Sequence, residues 1–127
     1  MNIRDEMQKL GPLASTGVAL ADYSEAIAGG GKFQLSGNRW VMRPDNFVTL
    51  EPHWKRTTNV AISLRGNPAE FAAMPELPIS AGMAGYTECK VESPTQLAAA
   101  AFYIRHAHEI YGRGRGRSPK GQKVIET

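Results

Sequence analysis

Residues 46–66 read NFVTLEPHWKRTTNVAISLRG, and the pattern inside this stretch decides the fold. Its second half alternates, with Val60, Ile62 and Leu64 on one side and Ala61, Ser63 and Arg65 on the other. Period-two alternation marks a strand buried on one face. In the first half Val48 and Leu50 alternate with Phe47, Thr49 and Glu51, which predicts a partner strand. Between the two lies a tip over 52–58 carrying His53, Trp54, Lys55 and Arg56. A core hairpin ending in an aromatic and basic tip reads as a scaffold that presents a binding surface.

Upstream, 32–43 predicts another hairpin turning at Gly37-Asn38, a pair suited to positive φ. That register sets Leu35 opposite Trp40 and Phe33 opposite Met42, gathering four large apolar residues on one face. Gln34 and Val41 fall on the other, and Trp40 is expected in the core. Before the hairpin, Asn2 caps a short helix with Ile3, Met7 and Leu10 on one side, and Gly11-Pro12 ends it. A second helix is expected over 15–28 with Ala19, Tyr23 and Ile27 as its apolar stripe. The run Gly29-Gly30-Gly31-Lys32 follows no strand and lacks the Ser or Thr of a phosphate loop, so it reads as a helix C-cap and turn.

Downstream, one helical turn is expected around 70–73, and Pro75, Pro78, Gly82 and Gly85 make 74–85 a loop. A strand over 86–92 points Thr87, Cys89 and Val91 inward and Tyr86, Glu88, Lys90 and Glu92 outward. Ser93-Pro94-Thr95-Gln96 is a capping box with proline at the first helical position, and the helix it opens runs to Tyr111. From Gly112 the chain turns to GRGRGRSPKGQKVIET, a composition that predicts disorder. The order predicts one α+β domain over 1–111. It has an antiparallel sheet of about five strands, with two N-terminal helices and one C-terminal helix on one face. A flexible basic tail follows over 112–127.

The net charge of +3 is unevenly spread: residues 32–65 sum to +4 and 112–127 to +4, while the other segments are acidic. Such asymmetry points to a polyanionic partner. Trp54 is suited to stack on a base, with His53, Lys55, Arg56, Arg39 and Arg43 meeting phosphates. Arg113, Arg115 and Arg117, spaced by glycines, are suited to follow a phosphate backbone. The leading expectation is therefore an accessory binding module for nucleic acid, DNA or RNA. The alternative is a protein-interaction subunit using the open sheet face or an edge.

A third reading is enzymatic. Asp45 after Pro44, with Glu88 and Lys90 on one strand face, resembles the acidic pair and lysine of restriction-type nucleases, which hold magnesium. The gap from Asp45 to Glu88 is long for that pattern, and no strand follows the last helix. No G-x-S-x-G occurs. His106 and His108 do not share a helix face, and Cys89 is the only cysteine, so no metal set and no cofactor is expected. The first ten residues lack an apolar signal core and no run of about 18 apolar residues occurs, which predicts an intracellular, cytoplasmic protein without a membrane partner.

The region 46–111 also resembles an uncharacterised family of small α+β domains sometimes attached to nuclease-like modules. The resemblance lies in the quoted hairpin, the strand after it and the S-P-T-Q-L helix start. It implies an accessory role around nucleic acid and assigns no catalytic residue.

Overall fold

In a computed structural model, residues 2–112 are described. Six strands form one antiparallel sheet: β1 (Lys32–Ser36), β2 (Arg39–Arg43), β3 (Val48–His53), β4 (Asn59–Arg65), β5 (Ser80–Ala81) and β6 (Tyr86–Val91). Their order across the sheet is β1-β2-β3-β4-β6-β5. Helices α1 (Ile3–Met7), α2 (Ala14–Ile27) and α3 (Leu97–Tyr111) cover one face. The α+β class and the helical layer follow the sequence reading. The proposed tail residues Arg113, Arg115 and Arg117 lie outside the described residues.

Both hairpins keep the expected register. Leu35 pairs with Trp40 and Phe33 with Met42 across the β1–β2 turn, where Gly37 takes φ 65°. Val48 pairs with Leu64 and Leu50 with Ile62 in the central pair. Val60, Ile62, Leu64, Cys89 and Val91 then pack against Ala100, Tyr103, Ile104 and Ala107 of α3. Alanines at the contact let the helix lie close to the sheet. Asn2 caps α1 as expected and goes further, forming a capping box with Asp5, while Ser93 forms the expected capping box with Gln96.

Several details correct the sequence reading. The buried side of α2 is Thr16, Gly17, Leu20, Ala21 and Ser24, while Ala19, Tyr23 and Ile27 are half-buried. Small residues win because α2 is wedged between the N-terminal segment and α3. A β-carbon on Gly17 would come within 2.5 Å of Met7 Sδ. Phe47 does not share the outer face with Thr49 and Glu51: it precedes the strand, and its ring meets His108 of α3 edge-on at 4.8 Å. The helical turn sits at Pro68–Glu70, earlier than expected. A sixth strand, β5, lies inside what reads as a loop. It spans two residues and pairs with Thr87 and Glu88. Of the first hairpin's apolar set, Leu35 remains 53% exposed, at the turn end of the sheet edge.

Strand β3 also runs further than expected, through Pro52 to His53, leaving 54–58 as the tip. Pro52 is tolerated for a definite reason. The Arg65 N–H donates to the Phe47 carbonyl, so odd-numbered residues of β3 bond toward β4 and even-numbered ones face β2. The ladder with β2 has pairs at Trp40–Leu50 and Val41–Thr49 and none beyond, so the N–H that proline lacks falls past its end.

Candidate nucleic-acid interface

The ends of the two hairpins lie side by side, because Trp40, just after the first turn, pairs with Leu50, just before the second. Where β3 outruns β2, a cleft of about 570 Å³ opens between them. Leu35, Gly37, Asn38 and Trp40 form one wall, and residues 51–57 form the other. Glu6 of α1 also lines it. This volume lies in the range of small-molecule sites.

Trp54 is half-buried and packs against the core, with Lys9 Nζ 4.8 Å from its ring centroid. Lys9 does not line the cleft, whereas the indole does. Lys55 and Arg56 are exposed at the rim and form no ion pair among the described residues. His53 Nε2 lies 3.1 Å from Glu51 Oε2, and Arg39 Nε lies 4.0 Å from Glu51 Oε1. Glu51 thus gathers two of the expected basic residues beside the tip.

Arg43 does not join them. It ends β2 four residues beyond Arg39, which places it about 13 Å farther along the strand, away from the tip. The root of the tail is at that far end as well. Tyr111, the last residue of α3, donates to Glu70 at 2.6 Å and carries the Arg65 guanidinium over its ring at 5.7 Å. Arg65 is the end of β4 opposite the tip, about 20 Å from Asn59 along the strand. The basic residues therefore occupy two ends of the sheet instead of one strip.

The nuclease-like set is also divided. Glu88 and Lys90 share the open sheet face, in a second cleft of about 550 Å³ with Arg39, Glu51 and Ser63. Asp45 lines a different, small cavity with Ala28, Met42 and His108 on the helical side. Among the described residues no group of three or more His, Cys, Asp or Glu side chains is arranged to hold a metal ion. His108 is buried against Phe47, and His106 Nε2 is 2.8 Å from the Glu70 carbonyl oxygen. Burial pushes the Cys89 thiol up to about 12, so it stays protonated and unreactive at neutral pH.

Two residues of the cleft lining escape the sequence reading. Glu6, paired with Lys9, looks like an ordinary helix-surface residue, and its place beside Trp54 exists only after folding. Leu35 falls on the apolar face as expected, yet it serves the cleft wall.

No family model, no curated protein and no solved structure matches this chain. Among the described residues no helix is long and apolar enough to cross a membrane.

Proposed function

We propose that this chain is a binding module for single-stranded nucleic acid and that the cleft at the hairpin tips is its contact surface. The observation that carries this reading is Trp54, an indole lining a cleft whose rim carries two cations, Lys55 and Arg56, with no ion-pair partner among the described residues. Aromatic platforms beside cations serve single strands well, since every base has a face to stack and every nucleotide a phosphate. The tail arginines, Arg113, Arg115 and Arg117, add a second basic element. His53 lines the cleft beside Glu51, and Glu51 also draws Arg39, which lines the neighbouring cleft on the open sheet face.

Salt titration of affinity for a labelled oligonucleotide tests the reading. Each phosphate neutralised on a single strand contributes about −0.7 to the slope of log K against log salt. Lys55→Ala with Arg56→Ala is expected to flatten the slope by about 1.4, and removal of 113–127 to flatten it further. Trp54→Ala is expected to weaken binding with the slope nearly unchanged, because stacking releases few counterions. If the wild type binds no oligonucleotide at low salt, the reading falls.

A protein-docking role is the second reading, favoured by Leu35 and by Met83, which is 67% exposed. Strand addition at the sheet edges suits it poorly. The Phe33 N–H on the β1 edge is already taken by Glu25, and β5 offers two residues.

A further inference from the structure

The proposed cleft contains a carboxylate that phosphate binding does not call for. Glu6 lines it together with Trp54 and Trp40, although its side chain is only 12% exposed. One oxygen, Oε1, pairs with Lys9 Nζ at 3.0 Å. Oε2 accepts no hydrogen bond from any described residue, and it is not shut away from solvent like the orphaned Asn59 Oδ1. A carboxylate near a phosphodiester is unfavourable. A carboxylate near the hydrogen-bonding edge of a stacked base selects among bases.

Resting on the nucleic-acid reading above, we propose that the cleft takes one unpaired base and that Glu6 makes it prefer guanine. Guanine carries N1–H and the exocyclic N2–H₂ side by side, two parallel donors that match the two oxygens of a carboxylate. Cytosine and adenine each set one amino donor beside a ring-nitrogen acceptor. Thymine and uracil flank a single N–H with two carbonyl oxygens, which a carboxylate repels. Unpaired bases expose this edge, whereas in a duplex it is occupied. The cleft therefore favours single strands for the same reason that it favours guanine.

The test uses a fluorescein-labelled nonamer of thymidines whose central position is dT, dC, dG or inosine, titrated against the full chain. Wild type is expected to bind the dG nonamer about tenfold tighter than all-dT, in line with the discrimination a good two-point contact gives. Inosine, which lacks the N2 amine, should fall between them. In Glu6→Gln, the amide turns one acceptor into a donor, and the dG preference should shrink to about twofold or less. Equal wild-type affinity for all four nonamers overturns the guanine inference and leaves the nucleic-acid reading standing. So does a dG preference that survives in Glu6→Gln. Absence of binding to every nonamer at low salt overturns both.

Discussion

The Tyr111 hydroxyl donates to Glu70 Oε1 at 2.6 Å, which ties the end of α3 to the turn that follows β4. Glu70 also accepts the Asn67 N–H at 2.7 Å, so one carboxylate caps the turn and anchors the helix. Tyr111→Phe removes the donor and leaves the carboxylate half-satisfied. A loss of about 1–2 kcal/mol is expected, read from the denaturant midpoint.

The same pair makes stability pH-dependent. Burial first, then the hydrogen bond to Glu70, pushes the Tyr111 phenol from 10 up to about 12. The folded state therefore prefers the protonated phenol. Its contribution is complete below pH 10 and is lost as pH rises from 10 through about 12. Cys89 and Tyr103 are raised as well, so the quantity to measure is a difference. Between pH 9.5 and 12 the wild-type midpoint should fall more steeply than that of Tyr111→Phe.

Gly17→Ala is expected to destabilise, against the helix-propensity trend, which favours alanine by about 1 kcal/mol. The new methyl would sit 2.5 Å from Met7 Sδ and 2.9 Å from Leu10 Cδ1, both on fully buried side chains. Overpacking of this kind costs about 1–3 kcal/mol. Adding Met7→Ala should make the Gly17→Ala step favourable, and a double-mutant cycle reads that reversal. An unchanged cost in the Met7→Ala background would refute the packing account.

Ile62→Ala opens a cavity at the centre of the sheet, where Ile62 pairs with Leu50 and Cys89. It is expected to cost about 2–5 kcal/mol by denaturant titration. A loss below about half a kcal/mol would contradict the packing of α3 on this strand.

Glu25 guards the β1 edge. It accepts the Phe33 N–H at 3.0 Å and Arg4 Nη2 at 2.9 Å, with Lys32 Nζ 3.8 Å away. Glu25→Ala should cost about 1–3 kcal/mol by leaving these donors unmatched. Hydrogen exchange at the Phe33 amide should accelerate in that variant while the Ile62 amide stays protected.

Legibility in the sequence followed how local each determinant was. The hairpin registers were readable because a turn dipeptide and period-two alternation lie within a few residues of each other. Strand β5 was not, since two residues carry no periodicity. The buried side of α2 was misassigned because hydrophobicity favoured Tyr23 and Ile27, whereas the close approach of Met7 demanded Gly17. Trp54, Lys55 and Arg56 were readable as a tip. Glu6 was not, because only the tertiary fold brings α1 beneath it. Arg43 was grouped with them by charge, and the length of a strand separates it.

The turn at Gly37-Asn38 decides where the sheet stops closing, because β2 begins only after it. The two hairpins join like a zipper as far as Trp40 and Leu50 and then part, since β3 runs on where β2 has already turned back. Pro52 lies on the parted stretch, where its missing amide hydrogen has no strand carbonyl to meet. The opening that Trp54, Trp40 and Glu6 line is the unzipped remainder. It is a negative shape, set by the unequal length of two strands, so the recognition surface is a by-product of hairpin register and needs no element of its own.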